Sequence, residues 1–258
     1  MGVGDFATTW TIGSCHRLDQ LEETDPVYPS DTSPAVPCDT PHESETYAVV
    51  PITGQAAAYP RRPSPVWLEH TLAGACSWSA MEAYTGSRQL DALQNLSILQ
   101  ILPSEPEWER GVREIRCDVL IGPRSSAYIA SVSASMREIF AEPAGDRFRV
   151  CRAYGQQIGC DQPHDAELIN TWITFTNAEL AHETAKQETA EILAACLPVA
   201  DAYLGAPLTA WRGLVLTAEL PDTPADARMK AGRCWLGDVY PGREWTGSLR
   251  TSTIRQLP

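Results

Sequence analysis

Two histidines and two glutamates stand at the same distance from a cysteine in two separate parts of the chain. His42 follows Cys38 by four residues and precedes Glu45 by three, and His164 precedes Glu167 by three in a second motif of the same kind. Histidine near a carboxylate suits metal binding or general acid–base catalysis. Each motif offers only two such ligands, whereas zinc needs three or four. We therefore expect each histidine to hydrogen-bond a carboxylate or a backbone carbonyl, with no metal and no cofactor.

Patterns that carry common enzyme chemistry are absent from the sequence. It contains no GxSxG, HExxH, P-loop or GxGxxG motif. Cys15 and His16 are neighbours, but adjacent side chains on a strand point to opposite faces, so they would not act as nucleophile and base. We assign no catalytic residue and favour a protein that is not an enzyme.

Eight cysteines are spread along the chain, and none of them forms a CxxC pair. They are Cys15, Cys38, Cys76, Cys117, Cys151, Cys160, Cys196 and Cys234. An even number with this spacing fits disulfides better than zinc ligands. Disulfides persist outside the reducing cytosol, so the sequence predicts an exported, extracytoplasmic protein. We interpret Met1 as an artificial start that replaces a signal peptide or a membrane anchor.

The chain reads as two tandem repeats. The pattern C-D-x-P-H-[DE]-x-E begins at Cys38 and again at Cys160, and Ala-Cys and Arg-Cys pairs recur downstream at similar spacing. We predict repeats at residues 8–140 and 146–258. Residues 141–145 contain the Pro and Gly that suit a short connection.

Each repeat predicts an α+β fold in which a helix packs on a small, mainly antiparallel sheet. The first helix should begin after Ser64 and end at Gly86. The second should run from residue 177 through Cys196 and end or kink at Pro198. Strands are predicted at residues 9–15, 45–52, 96–102, 113–121 and 127–133, and at 147–153, 167–175, 210–219, 232–239 and 244–251.

Disulfide pairing is constrained by the repeat. Eight cysteines allow 105 connectivities, but identical pairing inside each repeat leaves three. The pattern that we favour would tie two adjacent strands and staple the helix to a late strand. It joins Cys15 to Cys38, Cys76 to Cys117, Cys151 to Cys160 and Cys196 to Cys234.

Composition excludes several classes of partner. The formal net charge of −13 argues against nucleic acid and against docking on anionic lipid, both of which need a basic surface. No run of 18 apolar residues is present, so the membrane could be engaged only through an anchor outside this chain.

Some aromatic residues and one loop are candidates for partner contacts. Trp108 lies in a Pro- and Glu-rich segment that reads as a turn, and Trp245 lies near the end of the chain. We predict that both are exposed and available to stack on sugars or on a partner. The Pro-rich residues 26–41 should form a surface loop that could bind.

The motifs together resemble the septum-formation domain of actinobacterial membrane proteins. The resemblance rests on Val36–His42, on Trp108–Arg113 before Cys117, and on Gly247–Leu249, a G-S-L tripeptide. In the first repeat the tripeptide would be expected at residues 123–127. The resemblance implies an N-terminal membrane anchor and an extracytoplasmic location, and it implies little about chemistry.

Our leading hypothesis is a non-catalytic binding or scaffold module of the cell envelope. Its partners would be envelope or division proteins or a cell-wall polymer. One alternative is an enzyme whose pocket lies between the repeats and uses His42, Glu45, His164 and Glu167. Another is a structural subunit of a larger envelope assembly.

Overall fold

The structure is a computed structural model that describes residues 10–18, 21–22, 30–72, 74–87, 91, 96–121, 131–170, 173–176, 185–219, 229–240 and 242–250. The chain divides into two compact units. Unit 1 comprises residues 1–86 and 96–138, and unit 2 comprises residues 87–95 and 139–258.

Unit 1 is built on a four-stranded antiparallel sheet. Its strands are β1 (Cys15–His16), β4 (Ser44–Pro51), β5 (Leu96–Ile101) and β6 (Glu114–Ile121), in the order β1-β4-β6-β5. Two further short strands, β2 (Leu21–Glu22) and β3 (Ser30–Asp31), pair with each other. Strand β6 is almost entirely buried because it lies inside the sheet.

The helices of unit 1 are short. They are α1 (Gly54–Ala57), α2 (Pro65–Thr71), α3 (Trp78–Thr85) and α4 (Glu105–Glu109). The single helix predicted over residues 64–86 is wrong, because Gly74 adopts a φ of +81° and interrupts it. A second helix then begins after Ser77, whose side chain accepts a hydrogen bond from the amide of Ala80. The predicted stop at Gly86 is present in left-handed conformation.

Unit 2 contains a six-stranded sheet. Its strands are β7 (Val150–Ala153), β8 (Gln156–Gly159), β9 (Ala166–Leu168), β10 (Ile173–Thr176), β11 (Leu214–Glu219) and β12 (Met229–Asp238). The order is β10-β12-β9-β7-β8, with β11 also paired to β12. The predicted strands at residues 9–15 and 244–251 are shorter in the structure: the first leaves β1, and the second leaves one bridge between Trp245 and His164.

One long helix, α5 (Ala185–Leu204), packs on the sheet of unit 2. Of the two outcomes predicted at Pro198, an end or a kink, the end is wrong, because the helix continues through the proline. Ile192 and Tyr203 anchor α5 in the core on either side of the proline, and Cys196 ties it to β12 through a disulfide. This packing outweighs the backbone hydrogen bond that proline removes. Residues 177–184, where the helix was predicted to begin, lie outside the described residues.

All eight cysteines form disulfides, and the pairing is the predicted one. The pairs are Cys15–Cys38, Cys76–Cys117, Cys151–Cys160 and Cys196–Cys234. The mixed α+β class with antiparallel sheets stapled by disulfides is therefore confirmed.

The two sheets share a register around these disulfides. The order β1-β4-β6-β5 corresponds to β7-β9-β12-β11. Glu45 pairs with Cys15 on one side, and Glu167 pairs with Cys151 in the same way. On the other side the partners are Val119 of β6 and Leu236 of β12, two residues after Cys117 and Cys234. Positions in one sheet can therefore be matched to positions in the other.

Candidate functional site

The glutamate of the first motif, Glu45, is fully buried and accepts hydrogen bonds from three donors. Its Oε1 accepts from the hydroxyls of Tyr84 and of Ser135, the latter at 2.8 Å, and its Oε2 accepts from the amide of Met136 at 2.5 Å. Tyr84 lies in the last turn of α3. The carboxylate therefore connects the sheet to a helix and to a loop.

Glu167 makes the same set of hydrogen bonds in unit 2. Its Oε1 accepts from the hydroxyls of Tyr203, at 2.5 Å, and Ser248, and its Oε2 accepts from the amide of Leu249 at 2.8 Å. Burial raises the pKa of the Glu167 carboxyl, while these donors and Arg149 oppose the shift. Burial also raises the pKa of Tyr203, so its hydroxyl stays a donor.

These hydrogen bonds correct the position of the tripeptide in the first repeat. Ser135 and Met136 do in unit 1 what Ser248 and Leu249 do in unit 2. The counterpart of the G-S-L tripeptide is therefore residues 134–136. The expected position, residues 123–127, lies outside the described residues.

Replacing Glu167 with glutamine should lower the free energy of unfolding by about 1–3 kcal/mol. An amide group cannot accept from all three donors, so at least one buried N–H or O–H is left without an acceptor. Urea unfolding measures the change. The matched control is Glu191→Gln on the exposed face of α5. Equal stability of the two variants would contradict a structural role for the carboxylate.

The two histidines of the motifs also occupy matching environments. Nδ1 of His42 lies 2.8 Å from the carbonyl of Thr40, and Nδ1 of His164 lies 2.7 Å from that of Gln162. Both side chains are fully buried, and their Nε2 atoms have no hydrogen-bond partner among the described residues. Burial lowers the pKa of His164, which keeps its ring neutral near pH 7.

The histidines and glutamates of the motifs therefore have separate partners. Each histidine binds a backbone carbonyl, and each glutamate binds a tyrosine, a serine and an amide. The ligand atoms of His164, Cys151 and Cys160 lie within 4.8 Å of one another, but both sulfurs are held in a disulfide and offer no thiolate.

A second cluster of polar side chains, which sequence reasoning missed, is buried on the opposite face of the sheet of unit 1. We call it the polar cluster; it consists of Ser14, His16, Asp31, Ser44, Thr46, Arg116 and Asp118. All except Ser14 are at most 3% exposed. Ser44 and Thr46 of β4 alternate with Glu45, and Arg116 and Asp118 of β6 alternate with Cys117, so the cluster faces away from Glu45 and the disulfide.

Arg116 is at the centre of the polar cluster. Its Nη2 donates to Asp31 Oδ2 at 2.6 Å, and its Nε donates to both carboxylate oxygens of Asp118 at 3.1 Å. The hydroxyls of Ser44 and Thr46 each donate to Asp118 at 2.9 Å. One guanidinium thus faces two carboxylates, and the buried charges do not cancel.

His16 links the guanidinium to Ser14 at the edge of the polar cluster. Arg116 Nη1 lies 3.4 Å from His16 Nδ1, and His16 Nε2 lies 2.8 Å from Ser14 Oγ. A guanidinium can only donate, so Nδ1 is the acceptor and the proton of the neutral ring is on Nε2. Burial and Arg116 lower the pKa of His16, in agreement with a neutral ring. His16 then donates to Ser14, whose hydroxyl donates to the carbonyl of Thr11 at 2.7 Å.

Unit 2 fills four of these positions with apolar side chains, and it places Arg152 and Arg233 at the positions of His16 and Arg116. The shared register matches Ser14, Ser44, Thr46 and Asp118 with Val150, Ala166, Leu168 and Trp235. These four residues of unit 2 form one buried hydrophobic cluster. Both units therefore carry arginine on this face, but the carboxylate and the hydroxyls occur in unit 1 alone at the matched positions, and their presence there calls for another explanation.

A cavity of about 230 Å³ lies beside the polar cluster in unit 1. Its wall includes Trp10, Ser14, His16, Asp31, Ser33 and Glu107. The cavity joins the buried polar cluster to a wall that contains one indole ring and several hydroxyls. A concave site with a few convergent polar groups is a candidate site for a small ligand.

The sequence matches one family of known proteins over most of its length. The septum formation family matches residues 12–228, which include parts of both units. This chain belongs to that family. No curated protein and no solved structure matches the sequence.

Membership of the septum formation family agrees with the chemistry of the cysteines. Four disulfides indicate that this family member folds in an oxidising compartment, outside the cytoplasm. Within the part of the chain that the structure describes, none of the helices combines the length and the apolar character needed to cross a membrane.

The two tryptophans predicted to be exposed in this septum formation protein are buried. Trp108 is 1% exposed because α4 turns it inwards: its Nε1 donates to the carbonyl of Tyr59, and the guanidinium of Arg113 lies 3.7 Å from the centre of its ring. Trp245 is 8% exposed and packs edge-on against the ring of His164. Neither is available as an exposed contact.

The Pro-rich stretch contributes to the cavity of this family member. Ser30 and Asp31 are buried in β3, and Asp31, Ser33 and Ala35 line the cavity. Residues 26–29 lie outside the described residues. A sequence signal for the site was present in Arg116 and Asp118, which alternate with apolar residues and a cysteine along β6.

Proposed function

We propose that this protein is a non-catalytic, extracytoplasmic binding module of the actinobacterial cell envelope that acts in septum formation. An N-terminal anchor would hold it at the membrane, as the family resemblance implies. Its partners would be envelope or division proteins or a cell-wall polymer.

We also propose that the two units are copies of one ancestral domain. Their strand order, register, disulfide pairing and buried Glu–Tyr–Ser hydrogen bonds support this origin. The single family match spans parts of both units, so the duplication rests on these shared features.

The observation that carries the binding function is the difference between the two matching sheet faces. Unit 1 buries a charged polar cluster beside a cavity, and unit 2 closes the same face with Val150, Ala166, Leu168 and Trp235. Burial of uncompensated charge costs stability, which the apolar arrangement of unit 2 avoids. A ligand site in unit 1 would explain why this unit keeps buried charges that lower its stability.

An enzyme is the second candidate, and the contact between Ser14 and His16 is the observation that favours it. A nucleophilic serine needs a histidine that accepts its proton. Here Arg116 occupies Nδ1 of His16, so Nε2 carries the proton and donates to Ser14. In addition, Asp31 lies 3.9 Å from Nδ1, beyond hydrogen-bond distance. The arrangement supports binding over catalysis.

Filling the cavity with a larger side chain tests the proposal. Ala35 lines the cavity from an exposed position, so Ala35→Trp should fill it without disturbing the core. In an actinobacterial strain that lacks the protein, we expect Ala35→Trp to be exported with all four disulfides but to fail to restore normal septa. The matched control is Ala202→Trp, an exposed alanine on α5, which should restore them.

The other outcomes discriminate between the hypotheses. If Ala35→Trp restores septa as well as the wild type, the cavity has no role and a purely structural subunit becomes the better description. If neither the wild type nor the control affects septa, the protein does not act in septum formation.

A further inference from the structure

The wall of the cavity in unit 1 carries an excess of negative charge. Asp31, Asp118 and Glu107 are three carboxylates in or beside the wall. Among the described residues Arg116 is the one guanidinium in this group and binds Asp31 and Asp118, which gives a net charge of −2 with His16 neutral. Among the described residues that line the cavity there is no lysine and no arginine. The guanidinium of Arg62 donates to Ser30 Oγ at 3.0 Å and does not line it.

Two polar atoms of the wall are free to bind a ligand. Ser33 Oγ is buried and has no hydrogen-bond partner among the described residues. Glu107 uses Oε2 to accept from the amide and the hydroxyl of Ser104, at 2.7 and 2.8 Å. Within the described part of the chain its Oε1 accepts no hydrogen bond. A buried hydroxyl without a partner is costly unless a ligand binds it, and Glu107 Oε1 is a second acceptor that such a ligand can use.

The indole of Trp10 completes this wall. It is 9% exposed, lies against the apolar cluster that contains Leu99 and Leu120, and lines the cavity. The face of an indole attracts cations, most strongly where water is excluded, and the guanidinium of Arg116 already lies 6.0 Å from the centre of this ring. The carboxylates and the indole therefore favour the same kind of ligand.

We propose that the cavity binds a small solute through a protonated primary amine. An ammonium group has three donors and no acceptor, which suits Glu107 Oε1 and the lone pairs of Ser33 Oγ. The cavity has room for about eight water molecules at about 30 Å³ each, so it accepts an amine on a sugar-sized ring or chain. This inference rests on the binding function proposed above and names the chemical class of the ligand.

Glucosamine and N-acetylglucosamine are suitable probes, because they differ in the charge of one nitrogen. We expect glucosamine to shift the indole N–H resonance of Trp10 in the full chain and to bind at least about tenfold more tightly than N-acetylglucosamine. Glu107→Gln keeps the cap of α4, since glutamine also serves at this position, and should weaken glucosamine binding about fivefold or more. Ala35→Trp should abolish the shift, and Ala202→Trp should leave it unchanged.

The outcomes separate this inference from the proposed function. Equal binding of the two sugars, or binding that Glu107→Gln leaves unchanged, would overturn the ammonium assignment and keep a binding cavity. Absence of binding by glucosamine, together with failure of Ala35→Trp to restore septa, would also overturn it and keep the proposed function. Binding of glucosamine that Ala35→Trp does not affect would place the amine elsewhere and contradict the inference.

Discussion

Replacing Arg116 with leucine should lower the free energy of unfolding of unit 1 by about 3–5 kcal/mol. Arg116 is fully buried and provides the only counter-charge that the structure shows for Asp118 within the described residues. Without it, two carboxylates remain in a site from which water is excluded, which is more costly than the loss of an exposed ion pair. A single domain is stable by only about 5–15 kcal/mol, so unit 1 would be close to unfolding.

Amide hydrogen exchange measures this effect separately in each unit. We expect faster exchange along β4 and β6 and unchanged exchange along β12. Arg152→Leu is the control, because its side chain is 32% exposed and its oxygen partner on Glu219 is 4.0 Å away, a pair worth about 1 kcal/mol at most. If both variants exchange at similar rates, Arg116 does not balance buried charge.

A combined variant gives a sharper test of the same idea. Replacing Asp31, Arg116 and Asp118 together with leucine removes the charges as a group, and we expect it to be more stable than Arg116→Leu alone. A buried ion pair contributes little beyond an apolar replacement, whereas a broken pair leaves a desolvated charge. Additive losses from the three substitutions would show instead that each side chain stabilises the unit independently.

The sequence predicted those parts of the fold that occur twice. Cysteines and glutamates in matching positions predict that the two repeats pair their cysteines in the same order, and the four disulfides confirm this connectivity. The polar cluster could not be found in this way, because its members lie on separate strands and four of them, Ser14, Ser44, Thr46 and Asp118, have apolar counterparts in unit 2. Contacts between distant strands depend on register, which local patterns do not fix.

Two of the three errors in predicting the helices have local causes that can be found in the sequence. Ser104 and Glu107 form a capping box, the signature of a helix start, and this short helix buries Trp108 in a segment that we interpreted as an exposed turn. Gly74 and Ser77 marked the break between α2 and α3. Pro198 is the opposite case: no local pattern shows that core packing on both sides of it and a disulfide keep α5 continuous.

The matched faces also bear on the proposal that unit 1 binds a ligand and unit 2 does not. The Glu–Tyr–Ser hydrogen bonds and the disulfides lie on the helix side of each sheet and are common to both units. The opposite face differs between the units at Ser14, Ser44, Thr46 and Asp118, so the proposed ligand site would depend on these four positions.

Removing the Cys196–Cys234 disulfide by two alanine substitutions should destabilise unit 2 by about 4 kcal/mol, against about 2.7 kcal/mol for removing Cys151–Cys160. The two disulfides close loops of 38 and 9 residues, and a longer loop restricts the unfolded chain more. All four sulfurs are fully buried in the same unit, so each pair is the matched control of the other for the small cavities that alanine leaves.

Urea unfolding of the two variants, with the remaining disulfides intact, measures the difference of about 1.3 kcal/mol. An equal or larger loss from the Cys151–Cys160 variant would mean that native packing around the β7–β8 hairpin outweighs chain entropy. That result would give the short disulfide a specific role beside His164, whose ring lies against both sulfurs. The expected order would instead indicate that both disulfides stabilise unit 2 mainly by restricting the unfolded chain. Stabilisation of this kind suits a protein that folds in an oxidising compartment, which is the location given in the proposed function.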